Sequence, residues 1–298
     1  MPRAPGQDPP RLFVFGLGYT ALALAERLAA QGWRIAGTCR APERIAALRA
    51  RGIEAHLFDR GHPLADVGAA LAGARYILSS VPPDETGDAV LDRHGTDLAA
   101  CRDLAWVGYL STTGVYGDRA GGTVDEHDAR RPTGDRGRRR VAAEDGWLAL
   151  HRDHRLPVHV FRLAGIYGPG RNALAQLRAG TARRIDKPGQ IFSRIHVDDI
   201  VTVLRASMAR PAPGAVYNVA DDEPAPPQDV VVYAATLLGQ APPPLVPFAD
   251  AELSPMARSF YADSKRVDNG RIKRELGVRL TYPDYRTGLR ALLAEGKV

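Results

Sequence analysis

Two short stretches of this chain carry residue types and spacings suited to holding an anionic ligand. In VFGLGYTALALAERLAAQG, Gly16, Gly18 and Ala21 form a GxGxxA pattern, with Tyr19 and Thr20 at the first helical positions after the turn. The first glycine of such a turn permits the tight bend, the second lets backbone approach a pyrophosphate, and a small third residue lets the helix pack on the strand. In PTGDRGRRRVAAED, Arg136, Arg138, Arg139 and Arg140 stand at the start of an expected helix, where the macrodipole favours carboxylates instead. Arg136 and Arg140 lie one turn apart, on a face that continues to Ala143 and Trp147, so that face is suited to contact with protein or ligand. Arg138 and Arg139 point elsewhere and read as solvated.

Such residues need a rigid frame. The apolar runs RLFVFG, GWRIAGT, GIEAHLF, ARYILSSV, LAWVGYLST and PVHVFRLAG alternate with amphipathic stretches such as TALALAERLAAQ and PERIAALRA. Repeated βα units with buried strands predict an α/β fold with a doubly wound parallel sheet, and ligands bind such sheets at the carboxyl ends of the strands. The second strand is expected to end near Gly37-Thr38-Cys39-Arg40. About 20 residues past the glycine turn an NAD site would supply an acid for the ribose 2′-hydroxyl, and here there is none. Arg40 could meet the 2′-phosphate of NADP, or could be a solvated residue opening the next helix. Asp59, ending the third strand, could accept from an adenine amino group or cap its own turn. Ser80 and Val81, in ILSSVPP, are suited to lying beside the adenosine ribose.

After about Gly165 the rhythm changes to proline-rich pieces around helical patterns at Val197 to Met208 and Val230 to Leu238. We read a dinucleotide-binding domain over residues 1–165 and a smaller substrate lobe over 166–298, the two interleaved. The formal charge of +6 is carried by arginines spread along the chain, and only 7% of residues are aromatic. That favours an anionic small molecule over nucleic acid as partner. Cys39 and Cys101 have no metal or CxxC spacing, the first eleven residues have no apolar signal core, and no apolar run reaches membrane-spanning length. A cytoplasmic protein with no membrane partner is the expectation.

The ordered set GLGYTALALAERL, LSTTGVYGD followed by VDE, FRLAGIYGPGRN, RIHVDDIV and YNVADDEP covers almost the whole chain. It resembles the extended short-chain dehydrogenase/reductases, the nucleoside-diphosphate-sugar epimerase and dehydratase group. The resemblance implies a Rossmann domain carrying NAD(P), with a C-terminal α/β lobe that selects the substrate. It also implies that Thr112, four residues ahead of Tyr116, is the catalytic Ser/Thr position, and that FRLAGIYGPG with Ile166 lies beside the nicotinamide. HVDD would open a helix with Asp198 or Asp199 as its acid. Such relatives often dimerise, so the resemblance implies a possible homodimer.

The family's YxxxK pair is missing. Aligning Glu144 with the usual AAE ending places Arg136 at the Tyr position and Arg140 at the Lys position. The departure resembles an atypical branch of the superfamily. Arginine is permanently protonated and cannot replace the tyrosine in proton transfer, although it can act as a fixed cation that stabilises an oxyanion. The proton donor would then be Tyr116, Tyr167, His196 or water, with Tyr116 placed first. The expected activity is an NADP-preferring oxidoreductase or epimerase, with NAD as the alternative cofactor, acting on a small anionic or sugar-nucleotide-like substrate by hydride transfer. The competing reading is a dinucleotide-binding sensor or scaffold that has lost turnover.

Other motifs read as structural. HRDHR, His151 to Arg155, suits a helix C-terminus. HVDD and VADDE lack partners at metal-ligand spacing, so no metal is expected. SKRVDNGRIKRELG, Ser264 to Gly277, reads as a basic amphipathic helix ending at its glycine.

Overall fold

The computed structural model describes residues 9–298; most of the N-terminal stretch inspected for a signal core lies outside the described residues. The strands and helices run β1 (Arg11–Phe15), α1 (Tyr19–Ala29), β2 (Arg34–Cys39), α2 (Glu43–Ala50), β3 (Glu54–Leu57), α3 (Val67–Leu71), β4 (Ala74–Ser79), α4 (Ala89–Ala100) and β5 (Trp106–Thr112). They continue with β6 (Thr123–Val124), α5 (Asp135–His154), β7 (Val158–Leu163), β8 (Gly165–Tyr167), α6 (Ala173–Arg178), β9 (Arg184–Asp186), β10 (Arg194–His196) and α7 (Val197–Ala209). The last are β11 (Val216–Val219), α8 (Pro227–Leu237), β12 (Leu245–Pro247), α9 (Pro255–Phe260), β13 (Arg266–Val267), α10 (Gly270–Leu276) and α11 (Tyr285–Ala294).

Seven strands form one parallel sheet in the order β11-β7-β5-β4-β1-β2-β3. β1 pairs with β2 on one side, Val14 opposite Gly37, and with β4 on the other, Phe15 opposite Ser79. The strand order therefore reverses at β1, which is where a doubly wound sheet binds its ligand. All five residues of β1 are buried, as expected where helices cover both faces of a sheet and the strand pattern becomes continuously apolar. α1 buries Thr20, Ala21, Leu24, Ala25 and Leu28, a stripe repeating at helical spacing.

The chain divides into two compact units. One holds the described residues up to Ser111 with Ala142–Phe161 and Ser207–Val216; the other holds Thr112–Val141, Arg162–Ala206 and Tyr217–Val298. The core of the first includes Phe13, Phe15, Phe58, Ile77, Val107, Tyr109, Trp147, Val158 and Val160. Trp147 stacks on Tyr109 with ring centroids 5.6 Å apart and donates its indole N–H to Asp88 Oδ2 at 3.0 Å. The other oxygen of Asp88 caps α4 by accepting from the amides of Val90 and Leu91. Helix α5 is thus tied to the start of α4 through one buried carboxylate. The second unit packs Leu174, Leu177, Val231, Ala234, Tyr285 and Leu289 together from α6, α8 and α11, and carries the short parallel pairs β10 with β8, β12 with β9 and β13 with β6.

One expectation needs correction. Ser264 to Gly277 is not a single helix: Arg266 and Val267 pair in register with Thr123 and Val124, and only Gly270–Leu276 is helical. The physical reason is that the backbone here is claimed from elsewhere: the Ser264 carbonyl accepts the Arg119 and Gly121 amides, and the Arg266 and Asp268 amides donate to the Gly122 and Val124 carbonyls, while the Asp268 carboxylate accepts the Gly270 amide. Gly277 does end the helix, in the left-handed conformation, as a C-terminal glycine should. HRDHR closes α5 at His154, and Cys39 and Cys101 are free thiols. Among the described residues no helix is long and apolar enough to cross a membrane.

Trp147→Phe keeps most of the stacking but leaves the buried Asp88 without the indole donor. It is expected to cost about 1–3 kcal/mol of unfolding free energy, measured by denaturant melts; an unchanged midpoint would show that the Asp88 bond contributes nothing.

Candidate functional site

In the first unit the glycine turn sits directly after β1. Gly16 has φ +85°, and a Cβ there would stand 3.0 Å from the Val81 side chain and 3.3 Å from its backbone nitrogen. Any side chain there would therefore be strained by the positive φ and would press on Val81. Thr38, at the end of β2, holds the turn from the other side: its hydroxyl accepts from the Gly16 amide at 2.9 Å and its carbonyl from the Leu17 amide at 2.8 Å. Gly18 caps α1 with no capping side chain, and a Cβ on it would meet nothing within 4 Å. The positive end of α1 is thus approachable by backbone alone. Ala21 is fully buried, in keeping with close packing of α1 on the sheet.

Tyr19 is half-buried and Thr20 is buried at the first turn of α1. Ser80 donates its amide to the Phe15 carbonyl at 2.8 Å, which sets Ser80 and Val81 beside the glycine turn. Two residues missed in the sequence stand in the same place. Ser79 is fully buried at the end of β4 with no hydrogen-bond partner for its hydroxyl, and Arg44 donates from its guanidinium to the Leu17 carbonyl at 3.1 Å. Arg40 is exposed at the end of β2, so two arginines lie beyond the glycine turn where the sequence drew attention to one. The Asp59 carboxylate is taken up by its own turn, accepting from the amides of Gly61 and His62 and lying 3.0 Å from the His62 ring. That hydrogen bond to His62 leads the causes that hold its carboxyl below the ordinary value.

In the second unit Thr112 caps a short 3-10 turn, Thr113–Tyr116, by accepting the Gly114 amide at 3.1 Å. The first turn of α5 packs against this segment, and a Cβ on Gly137 would stand 2.9 Å from the Gly114 carbonyl and 2.6 Å from Pro132 Cβ. The glycine inside the arginine run thus allows the run to approach the turn that carries Thr112. Arg138 pairs with Asp135 at 2.5 Å and is exposed. Arg139 and Arg140 are half-buried, and exposed Arg136 lays its guanidinium over the Phe260 ring, 5.1 Å from the centroid.

Tyr116 is fully buried. Its hydroxyl donates to Asn218 Oδ1 at 2.7 Å and accepts from the Arg162 guanidinium at 2.8 Å. Burial outweighs Arg162 and pushes the phenol up to about 12. A general acid works best with a pKa near the working pH, and a phenol engaged on both sides inside the protein meets neither that condition nor the need for access. Tyr167 and His196 are buried as well. The Tyr167 hydroxyl donates to the Asp284 carbonyl, and burial holds the His196 ring below its ordinary value. Ile166 is half-buried on β8, paired with Ile195. Asp199, in the first turn of α7, is wholly buried and accepts the amides of Thr281 and Tyr282.

Arg162 and Lys265 escaped the sequence reading. Arg162 lies in an apolar strand inside the FRLAGIYGPG motif, where the sequence singled out Ile166 and not the arginine. Lys265 lay in what reads as a surface helix, yet it is buried, donating to the Gly117 carbonyl at 2.9 Å and to Asp263 at 3.1 Å. It pins the loop after Tyr116 to the segment leading into β13.

Compared with known proteins, residues 12–220 match the model of the NAD dependent epimerase/dehydratase family. Protein YeeZ of Escherichia coli K12 is 30% identical over 289 residues, covering 92% of this chain and 97% of that protein. The solved structure of a functionally unknown conserved protein from Silicibacter pomeroyi is 56% identical, covers 97% of this chain and 100% of that one, and superposes with a TM-score of 0.89. UDP-glucuronic acid 4-epimerase from Bacillus cereus, solved with NAD, shares the fold at a TM-score of 0.74 and 16% identity, covering 94% and 96% of the two chains.

One buried group of the second unit has a pH signature. Both carboxylate oxygens of Asp221 are buried, and burial pushes the carboxyl up to about 8 from 3.8 against the opposing charge of Arg194 and nearby backbone amides. The folded chain keeps a proton that the unfolded chain releases, so this contribution to stability is full below about pH 4 and is lost as pH rises through about 8. Asp221→Asn stays neutral throughout. Denaturant melts at about pH 5 and about pH 8 should show stability falling more in the wild type than in the variant; parallel falls would remove Asp221 as the cause.

Proposed function

Since the chain belongs to the NAD dependent epimerase/dehydratase family, we propose that it is an oxidoreductase or epimerase that transfers hydride on a small anionic or sugar-nucleotide-like substrate, with NADP preferred to NAD. The observation that carries this reading is the glycine turn at the strand where the sheet order reverses: Gly16 at φ +85° against Val81, and Gly18 leaving the start of α1 open. Those residues fit a dinucleotide, whose nicotinamide supplies the hydride chemistry when bound.

Gly16, Gly18, Tyr19 and Thr20 are assigned to the pyrophosphate, and Ser80 and Val81 to the adenosine ribose. Arg40 and Arg44 are assigned to a 2′-phosphate, which guanidinium groups match with paired hydrogen bonds. Asp59 serves its own turn. On the reacting side, Ile166 lines the nicotinamide. Thr112 accepts from the Gly114 amide, which leaves its hydroxyl hydrogen to orient on a substrate oxygen. Arg136 and Arg140 act as fixed cations that stabilise negative charge developing on that oxygen. Tyr116 is assigned a supporting role, because its hydroxyl is held between Arg162 and Asn218, and the proton comes from solvent.

The same buried phenol favours a second reading, a cofactor-binding sensor without turnover. Tight NADPH binding with no change in nicotinamide absorbance across sugar nucleotides, aldehydes and ketones would select it.

In thermal-shift and calorimetric titrations NADPH should bind more tightly than NADH. Arg40→Ala and Arg44→Ala should each weaken NADPH by about ten-fold while leaving NADH nearly unchanged. Equal binding of both cofactors by the wild type would end the NADP preference, and binding of neither would end the dinucleotide reading.

A further inference from the structure

The loop that leaves β3 and the loop that leaves β4, both in the first unit, are tied together by one arginine. Arg60 Nε and Nη2 donate to the two carboxylate oxygens of Asp84 at 2.8 and 2.9 Å, and Nη1 donates to Asp92 Oδ2, in the first turn of α4, at 2.6 Å. Exposed ion pairs contribute little unless they are bidentate and networked, and this one is both. The Arg60 carbonyl accepts from Arg93 Nε at 2.9 Å. Asp84 also accepts the amide and hydroxyl of Thr86, and the bond from Arg60 leads the causes that hold its carboxyl far below the ordinary value.

Helix α4 fastens the rest of both loops. The Leu64 amide donates to Nε2 of buried His94 at 3.1 Å, and the other ring nitrogen lies 3.0 Å from Asp97. Phe58, where the β3 loop begins, has its ring 5.5 Å from that of His94. In the β4 loop Gly87 has φ +136°, and a Cβ on it would stand 3.1 Å from Asp92 Oδ2, so this loop lies close on the same carboxylate. The strand order β4-β1-β2-β3 sets β1 and β2 between the strands that these loops leave. The Arg60 bridge therefore spans the part of the carboxyl edge where the glycine turn and Arg40 stand. Val81, against Gly16, is three residues ahead of Asp84 in the chain.

Resting on the dinucleotide reading, we infer that Arg60 is a positioning residue for the cofactor: by bridging the loops after β3 and β4 it fixes the walls against which the adenine packs. A ribose held between Arg40 and Val81 has its pyrophosphate at the glycine turn, so its base is directed away from that turn and toward the bridged loops. The Asp59 carboxylate is engaged by its own turn, and the base is held by its fit between the loops. Walls fixed before the cofactor arrives need not be ordered on binding, which lowers the cost of association.

The test is calorimetric titration of NADPH, NADH and ADP into the full chain. Arg60→Gln and Asp84→Asn should each weaken all three ligands by a common factor of about five. The double variant should bind no more weakly than either single one, as expected for partners in one interaction. The two substitutions change the net charge in opposite directions, so charge alone would weaken these anions in Arg60→Gln and strengthen them in Asp84→Asn. That pattern would overturn the inference. So would unchanged affinity in both variants, or weakening of NADPH with NADH and ADP unaffected, which would place Arg60 at the 2′-phosphate. Denaturant melts should show an unchanged midpoint in both variants; a fall in affinity that tracks a fall in midpoint would assign Arg60 to folding and overturn the inference equally. A wild type that binds none of the three would end the dinucleotide reading itself, whereas a wild type that binds NADPH leaves that reading standing whatever the variants do.

Discussion

The close approach of the Gly16 backbone to Val81 constrains everything built around the sheet edge. A Cβ on Gly16 would collide with the neighbouring strand's exit, and its positive φ suits no β-carbon. Thr38 then fixes the same turn from β2 with its hydroxyl and its carbonyl. β1, its neighbour β2 and the exit of β4 thus meet at Gly16, and they fix the turn that leads into α1. A pyrophosphate is recognised best by such a pre-organised array, because amides held by the sheet need no rearrangement to meet it.

The second unit solves a different problem. An arginine in a parallel strand is costly to bury unless its donors are satisfied. Arg162 meets that demand partly through the Tyr116 hydroxyl, which in turn donates to the Asn218 side-chain oxygen, while the Asn218 backbone N–H donates to Glu126. The tyrosine of the VYG motif is thereby committed to the interior. On the family resemblance Arg136 stands where an acid–base tyrosine is expected, so on the proposed reading the positive charge there comes from arginines. Gly137 is what lets this charged helix start lie against the turn of Thr112. The four arginines therefore do not behave as one run: Arg138 is paired to Asp135 on the surface, whereas Arg136 stacks on an aromatic ring.

Much of this was legible in the sequence because short-range rules determine it. Alternating apolar runs and amphipathic stretches announced the parallel sheet, and GxGxxA between strand and helix announced the turn, since both depend on neighbours within a few residues. The helices opening at HVDD and closing at HRDHR follow from capping and dipole preferences that are equally local. The Ser264–Gly277 segment misled the reading for the converse reason: its pattern is helical, but the Ser264 amide is claimed by the distant Asp118 carboxylate and Lys265 by the Gly117 carbonyl. Arg162 and Ser79 lay inside stretches the sequence singled out and Arg44 in an ordinary amphipathic one, but none was picked out itself, because a lone arginine or serine acquires meaning only from what the fold sets beside it.

By itself the sequence determined the α/β class, the place of the glycine turn and the family, all properties of residue type and spacing. Only the tertiary structure decided which of the named residues are accessible. Tyr116 and Asp59 have their polar groups engaged by the protein itself, one through Arg162 and Asn218 and the other through its own turn. Arg136 and Phe260, more than a hundred residues apart, meet at the surface. Long-range hydrogen bonding and burial decide where a polar side chain is spent, and neither is written in the order of residues along the chain.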